Sequence, residues 1–248
     1  LLLENNPHVD EIIPCNAPWH NKQNCRFPAN SPKTFFEGLL YIMFSKEVRN
    51  IIKYKYTHGI DVLGSRQGGW LLKRAKIQNR YGVKGYAGGH NWNQKNIKFK
   101  ENRNVAAAGL AFLKLIGSDE KIEARPQIYL TKKEEESAER KWNTDCELKH
   151  RIIIAPGGGF PEKCWGDVNF AELTTKLIKK LNCHIFIIGS KEDSNRINIE
   201  PSLKVKNLCG RLTVRESAAL VSKANLVITN SSLSMHLAGA FKIPSITL

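Results

Sequence analysis

The chain has 248 residues, 42% hydrophobic and 25% charged, which is ordinary for a globular protein and enough for one large domain or two smaller ones. No stretch reaches the roughly 18 to 20 uncharged apolar residues that a membrane-spanning helix needs. The net charge of +15 favours a phosphate-rich partner: nucleic acid, an anionic membrane or a phosphorylated substrate. A genome rich in Lys codons would give the same excess, so charge alone does not choose among them.

Six cysteines are scattered along the chain, at Cys15, Cys25, Cys146, Cys164, Cys183 and Cys209. None forms a Cys-x-x-Cys pair, and no His lies at zinc-finger spacing from two of them. We therefore expect no bound metal, and reduced thiols in a cytoplasmic protein. A Cys15–Cys25 disulfide is the alternative.

The first 145 residues have an irregular pattern. It predicts strands at residues 9–13, 59–63 and 128–130 and helices at 34–54, 105–115 and 131–142. Thr131, with Glu134 three residues later, predicts a capping box at the start of the last helix. The polar segment 142–149 predicts a boundary between domains 1–145 and 146–248. Because the chain opens without Met and stops inside an apolar run, we expect both domains to lack their outer ends.

The second half alternates regularly between two periodicities. Continuous apolar runs predict buried strands at residues 151–155 and 183–188, and further strands are predicted at 225–229 and 243–248. Between these strands, apolar residues at helical spacing predict helices at residues 170–181, 214–221 and 234–241. Strands that alternate with helices in this way predict a parallel, doubly wound α/β sheet.

A glycine-rich turn follows the first of these strands and contains Gly157, Gly158, Gly159 and, a few residues later, Lys163. Glycines let the backbone approach a ligand and present N–H groups to an anion. A Lys adds a compact positive charge for a phosphate. The turn matches neither a Walker loop nor a Gly-x-Gly-x-x-Gly turn. A plain turn with a solvated Lys is the alternative.

A second polar cluster follows the third strand and contains Ser231, Ser232 and His236 at the start of a helix. Hydroxyl groups and backbone N–H groups at a helix N-terminus bind a diphosphate well. The alternative is that one serine is simply an N-cap and that His236 is structural. Two such clusters in one sheet would converge on one crevice.

Four short motifs have the order and spacing of a known family: Pro156-Gly157 with Lys163 and Trp165; Ile187-Ile188-Gly189-Ser190 with Glu192-Asp193; Leu208-Cys209-Gly210-Arg211-Leu212-Thr213; and Asn230-Ser231-Ser232-Leu233-Ser234-Met235-His236-Leu237. In these motifs residues 153–248 resemble the C-terminal domain of glycosyltransferase family nine, the ADP-heptose:lipopolysaccharide heptosyltransferases. The upstream segments 6–13 and 60–66 resemble the family's acceptor-side domain more weakly.

The resemblance implies two facing Rossmann-like domains of the GT-B type, with the donor nucleotide sugar on the second and the acceptor on the first. It assigns donor contacts to Gly158, Gly159, Lys163, Asp193 (or Glu192), Leu212, Ser231, Ser232 and His236. Asp193 or Glu192 would bind the ribose, and Leu212 would pack near the base. On the basic acceptor side the candidates are Arg66, Lys73 and Arg74.

Two residues depart from the family pattern: Ser231 stands where the family has Asp, and Leu233 where it has Gly. The Asp contacts the donor, so its loss puts donor identity and activity in question. The resemblance places the general base in a loop before Leu1, so the catalytic residue is not assigned. Asp61 is the early acid of interest, although a turn carboxylate is the better interpretation.

The resemblance therefore implies an inverting, metal-independent glycosyltransferase without a cofactor. Its donor would be ADP-heptose or another nucleotide sugar, and its acceptor the anionic lipopolysaccharide core or lipid A at the cytoplasmic face of the inner membrane. Arg49, Lys53, Lys73, Arg74 and Lys76 would attach it peripherally. A catalytically degenerate relative and a sugar-nucleotide 2-epimerase-like enzyme are the alternatives. No aromatic-basic motif supports nucleic-acid binding.

Overall fold

The computed structural model describes residues 2–19, 26–28, 31–102, 104–143, 149–197, 199, 202 and 204–248. The chain folds into two compact units. We call Ile13–Ala124 the N-terminal unit, and Leu1–Ile12 together with Arg125–Leu248 the C-terminal unit. Cys25 of the proposed Cys15–Cys25 disulfide lies outside the described residues. Cys183 and Cys209 are buried, and burial raises the pKa of the Cys209 thiol to about 12.

The N-terminal unit contains a three-stranded parallel sheet in the order β1-β2-β3. Its elements are α1 (Pro32–Phe44), α2 (Lys46–Lys53), β1 (His58–Ile60), α3 (Arg66–Arg74), β2 (Asn79–Lys84), β3 (Lys95–Lys98) and α4 (Val105–Ile116). The predicted helix 34–54 is confirmed but broken at Ser45, whose side chain accepts a hydrogen bond from Val48 N–H and so caps α2. The predicted helix 105–115 is confirmed as α4.

Other predictions in this half differ from the structure. The strand predicted at 59–63 ends at Ile60, because Asp61 turns the chain. The segment 9–13 forms no strand. The strands β2 and β3 were not predicted, because both are short and carry charged or amide side chains at their ends. Inside β2, Gly82 has no room for a side chain, since a Cβ there would collide with the amide group of Asn93.

The C-terminal unit is built on a five-stranded, entirely parallel sheet in the order β6-β5-β4-β7-β8. Its elements are α5 (Lys132–Trp142), β4 (His150–Ala155), α6 (Asp167–Lys180), β5 (Cys183–Ile187), β6 (Val205–Asn207), α7 (Val214–Ser222), β7 (Leu226–Thr229), α8 (Leu233–Phe241) and β8 (Ser245–Thr247). Every strand and helix predicted after residue 150 is confirmed. β6 is an addition.

Both faces of the sheet are covered at its central strands β4, β5 and β7, as their unbroken apolar runs require, whereas the edge strand β8 is exposed. Ile152 and Ile154 of β4 pack with Phe170 of α6 on one face. Ile153 of β4 packs with residues of α5, α7 and α8 on the other. The sheet is therefore doubly wound, as predicted.

The helix α5 belongs to the C-terminal unit, not to the first domain in which the predicted boundary places it. The Trp142 side chain is 3% exposed, and its Nε1 donates to the Leu220 carbonyl at 3.1 Å. The segment 128–130 is not the predicted strand, but Ile128 and Leu130 pack against the same core. The boundary between the two units therefore falls near residue 125 rather than 145, because α5 needs the α7 side of the sheet to bury Trp142. Among the described residues, no helix combines the length and apolar character that crossing a bilayer requires.

Candidate functional site

The order of the strands creates a switch point in the C-terminal sheet. The chain leaves β4 for β5 on one side and later returns to β7 on the other side of β4. In open α/β sheets ligands bind where the connections diverge in this way, at the carboxyl ends of the strands. The loops that follow β4 and β7 are the two clusters singled out from the sequence.

The side chain of Asn230 holds these two loops together. It is fully buried, and its Nδ2 donates to the Pro156 carbonyl at 2.6 Å. Its Oδ1 accepts from the Trp165 N–H at 3.0 Å. One amide thus fixes both the start and the end of the glycine-rich loop.

The glycine-rich loop is open to solvent at its centre. Gly159 is exposed, and a Cβ there would meet nothing within 4 Å. Gly158 is tighter, since a Cβ would lie 2.9 Å from Cys164 Sγ. Lys163 ends a short 3-10 helix, is exposed, and holds its Nζ 5.5 Å from the centroid of the Phe160 ring. The loop therefore presents an accessible ammonium group beside exposed backbone.

The start of α8 has the features of an anion site. Ser232 occupies the N-cap position but makes no side-chain capping bond; its hydroxyl lies 3.0 Å from Thr229 Oγ1 instead. The serine is thus not an ordinary N-cap, and the helix dipole and first N–H groups face the sheet edge without that cap. Ser231 and His236 are exposed.

At the end of β5, Asp193 is already engaged by the protein. Its side chain is 13% exposed. Its Oδ2 accepts from the backbone N–H and the hydroxyl of Ser190, each at 2.8 Å. Its Oδ1 accepts from Arg196 Nη1 at 3.2 Å, and Arg196 Nε donates to Asp167 at 2.9 Å. Burial opposes the charge of Arg196, but the hydrogen bonds to the two aspartates outweigh it and raise its pKa.

The backbone at Gly157 and Gly189 packs directly on Asp193. A Cβ on Gly157 would lie 2.5 Å from Asp193 Oδ2, and one on Gly189 would lie 2.8 Å from the same atom. The carboxylate therefore positions the ends of β4 and β5 relative to each other, a role that the sequence alone did not indicate.

The neighbouring Glu192 is exposed. Hydrogen bonds from its own backbone N–H and from Ser190 lower the pKa of its carboxyl, so it is ionised and accessible. The turn with Gly210 and Leu212 lies beside this loop, because Gly210 N–H donates to the Gly189 carbonyl at 3.0 Å. Gly210 has a φ of 70°, a conformation that favours glycine. Leu212 is partly buried against the core.

The structure thus brings the predicted donor residues to one edge of one sheet. Around the switch point lie Gly158, Gly159, Lys163, Ser231, Ser232 and His236. Glu192 and Asp193 follow the adjacent strand β5, and Leu212 follows β6. Sequence reasoning missed the clamping role of Asn230, although its place directly after a buried strand was the available signal.

The acceptor-side candidates are not brought together. Arg66 is exposed at the first position of α3, just beyond the carboxyl end of β1. Lys73 and Arg74 lie in the last turn of α3, at the opposite end, and Lys73 Nζ sits 4.7 Å from the Trp92 ring centroid. Asp61 Oδ1 accepts from Gly64 N–H at 3.1 Å, as a turn carboxylate does.

A doubly wound parallel sheet with two polar loops at its switch point is the architecture of a Rossmann-like α/β domain. The model of Glycosyltransferase family 9 (heptosyltransferase) matches residues 45–248, and the chain belongs to this family. Among curated relatives, lipopolysaccharide heptosyltransferase 2 of Escherichia coli K12 is 26% identical over 131 residues, which are 50% of this chain and 37% of that protein. Lipooligosaccharide heptosyltransferase 2 of Campylobacter jejuni is 29% identical over 106 residues, which are 40% of this chain and 33% of that protein.

Solved structures show the same fold. The E. coli ADP-heptose lipopolysaccharide heptosyltransferase II has a TM-score of 0.66 at 20% identity, over 82% of this chain and 65% of that one. A family 9 glycosyltransferase from Veillonella parvula has a TM-score of 0.69 at 17% identity, over 81% and 60%. An E. coli heptosyltransferase with ADP-2-deoxy-2-fluoro heptose has a TM-score of 0.66 at 15% identity, over 88% and 67%. The predicted α/β fold of the GT-B type is thereby confirmed, and the matched part spans about a third of the curated relatives.

Proposed function

We propose that the protein transfers a sugar, a heptose, from a nucleoside diphosphate donor to an anionic lipopolysaccharide core or lipid A acceptor, with inversion and without a metal. The observation that carries the proposal is the pair of loops that Asn230 joins at the switch point, one with Lys163 and the other at the start of α8. Family membership and a relative solved with an ADP-heptose analogue support ADP-heptose as the donor.

In this proposal the site stabilises the departing diphosphate. Negative charge grows on that group as the sugar–oxygen bond breaks. The ammonium of Lys163, the backbone N–H groups at Gly158 and Gly159 and the N-terminus of α8 would bind that charge. Ser231, Ser232 and His236 would add side-chain hydrogen bonds, and Leu212 would pack near the base. These fixed hydrogen-bond donors would stabilise the leaving diphosphate, as a bound metal ion does in other sugar transferases.

Replacing Lys163 with alanine is expected to weaken nucleoside diphosphate binding at least about tenfold, because one charge-assisted contact to the diphosphate is lost. The measurement is calorimetric titration of the folded chain with ADP, UDP and GDP, and ADP is expected to bind most tightly. Lys180→Ala, at the far end of α6, is the matched control and should bind like the wild type. A folded wild-type chain that binds none of the three nucleotides would refute the donor site.

Glu192 rather than Asp193 is proposed as the ribose ligand, since Glu192 is exposed, whereas the Asp193 side chain is 13% exposed and is held by Ser190 and Arg196. Glu192→Gln is expected to weaken ADP binding several-fold and leave the free energy of unfolding unchanged, because the side chain is exposed. Asp193→Asn should instead destabilise the unit by about 1 to 3 kcal/mol, because one of the two oxygens that accept from Ser190 and Arg196 becomes an NH2 donor. Calorimetry and urea unfolding of both variants test the assignment. If Asp193→Asn lost affinity for ADP but kept full stability, Asp193 rather than Glu192 would be the ribose ligand.

The acceptor is proposed to bind the basic N-terminal unit, with Arg66 at the carboxyl end of β1 contacting its phosphate or carboxylate groups. Lys73 and Arg74, at the other end of α3, fit a second role better. Together with Arg49, Lys53 and Lys76 they are proposed to hold the protein peripherally on the cytoplasmic face of the inner membrane.

One observation favours a second candidate, a relative that binds nucleotide sugars without catalysis: Ser231 occupies the position where the family has Asp. The two candidates differ in turnover. Transfer of heptose by the full-length protein to a heptose-deficient acceptor supports the transferase. If the wild type binds ADP tightly but transfers no sugar, and Ser231→Asp gains turnover, the result supports the degenerate relative.

A further inference from the structure

Helix α1 exposes five of its large apolar side chains to solvent. Thr34, Gly38 and Ile42 face the interior. Gly38 packs against the Trp19 ring, where a Cβ would lie 3.1 Å from a ring carbon, so a larger side chain has no room on this face. The exposed large residues are Phe35 (42%), Phe36 (58%), Leu40 (44%), Met43 (38%) and Phe44 (65%).

Four of the exposed residues form one continuous surface, which we call the α1 stripe: Phe36, Leu40, Met43 and Phe44. Their spacing of three and four residues places them on the same side of the helix, opposite Thr34 and Gly38. Contiguous exposed apolar surface of this kind is uncommon on soluble proteins and marks an interaction site.

Positive charge surrounds the α1 stripe. Exposed cations lie at both ends of α1 and along α2: Lys33, Lys46, Arg49, Lys53 and Lys55. Lys33 is on the same side as the stripe, three residues before Phe36. Lys46, Arg49 and Lys53 share the side of α2 opposite the buried Val48. The acids of this segment, Glu37 and Glu47, are half-buried.

We propose that the α1 stripe enters the boundary between headgroups and acyl chains of an anionic bilayer, while the cations of α2 contact lipid phosphates. An apolar helix face flanked by lysine and arginine is the arrangement that binds such an interface. A symmetric contact between two copies would bring these like charges together. The inference rests on the proposed membrane attachment and names the surface that makes it.

The test is co-sedimentation of the chain with vesicles of phosphatidylglycerol and with vesicles of phosphatidylcholine. Phe36→Gln with Phe44→Gln is expected to lower binding to phosphatidylglycerol at least about tenfold, since the variant lacks the two aromatic side chains that would be buried in the bilayer. Glutamine keeps helix propensity. The matched control changes two exposed apolar residues of the C-terminal unit, Val168→Gln with Leu181→Gln, and should bind like the wild type. Lys46→Gln, Arg49→Gln and Lys53→Gln together should abolish the preference for the anionic vesicle.

A Leu40→Trp variant reports on the stripe directly. Its added fluorescence is expected to shift to shorter wavelength with phosphatidylglycerol vesicles and to be quenched by brominated acyl chains. Unchanged vesicle binding by the Phe36→Gln/Phe44→Gln variant would refute the role of the stripe but leave peripheral attachment intact. A wild-type chain that binds neither vesicle would refute both, while nucleotide titration still tests the donor site. A wild-type dimer that the same variant converts to monomer would assign the stripe to a second copy and overturn the proposal.

Discussion

Replacing Asn230 with alanine is expected to destabilise the C-terminal unit by about 2 to 4 kcal/mol and to weaken nucleotide binding at least about tenfold. The amide is fully buried and hydrogen-bonds three backbone groups, so its loss leaves the Pro156 and Gly157 carbonyls and the Trp165 N–H without this partner. The loop between Pro156 and Trp165 carries Lys163. Once both ends are released, Lys163 and the glycine backbone must be ordered by the ligand, and that entropy reduces affinity.

Urea unfolding and calorimetry with ADP measure the two effects. Asn230→Asp separates charge from shape, because a carboxylate can still accept from Trp165 but sets an oxygen against the Pro156 oxygen; it should be at least as damaging as alanine. Asn169→Ala is the matched control. Its Nδ2 donates to the Trp165 carbonyl at 2.7 Å but is exposed, so we expect a loss below about 1 kcal/mol. If Asn230→Ala lost no more stability and no more affinity for ADP than Asn169→Ala, the hydrogen bonds of Asn230 would not be what holds the loop.

The C-terminal unit was predictable because its signals are local. Uninterrupted apolar runs such as Ile152-Ile153-Ile154 are typical of strands that are buried on both faces. The capping box of Thr131 and Glu134 could be predicted from the spacing of the two residues alone, and both of its hydrogen bonds are present. Polar residues directly after two strands were also enough to predict which two loops meet at the carboxyl ends of the strands.

What the sequence could not reveal depends on contacts between distant segments. Asp193 has the spacing of a ribose ligand, yet Ser190 and Arg196 already occupy it. The segment 9–13 has an apolar pattern but no partner strand in the described part of the chain, and a lone strand has no ladder. The place of α5 is decided by residues far along the chain, above all Arg215.

Arg215 joins three segments of the C-terminal unit. Its side chain is 10% exposed and makes a bidentate pair with Glu134 of α5, with Nε–Oε1 at 2.5 Å and Nη2–Oε2 at 2.9 Å. Its Nη2 also donates to the Tyr129 carbonyl at 2.8 Å, and its Nη1 to the Glu4 carbonyl at 3.2 Å. The segment 2–12 and α5 are thus tied to α7 through one guanidinium.

Glu134→Gln is therefore expected to cost about 3 kcal/mol at neutral pH, because it removes the bidentate partner of a mostly buried cation and leaves it with the more distant Glu4 carboxylate at 4.0 Å. The effect depends on pH. Hydrogen bonds from Arg215 lower the pKa of Glu134 from 4.5 to about 2, although burial opposes the shift. A carboxyl with a lowered folded-state pKa stabilises fully above its unfolded value, so the contribution is complete above pH 4.5 and disappears as the pH falls toward 2.

The measurement is the free energy of unfolding of the wild type, Glu134→Gln, Arg215→Met and the double variant between neutral pH and pH 2. The double variant should lose less than the sum of the two single losses, because removing both partners of the pair leaves no unpaired charge. The difference between wild type and Glu134→Gln should shrink as the pH falls below 4.5. Glu172→Gln breaks an exposed pair with Lys176 and should change stability by less than about 0.5 kcal/mol. Independent, additive losses that do not change with pH would mean that α5 is held by Trp142 and its apolar neighbours alone.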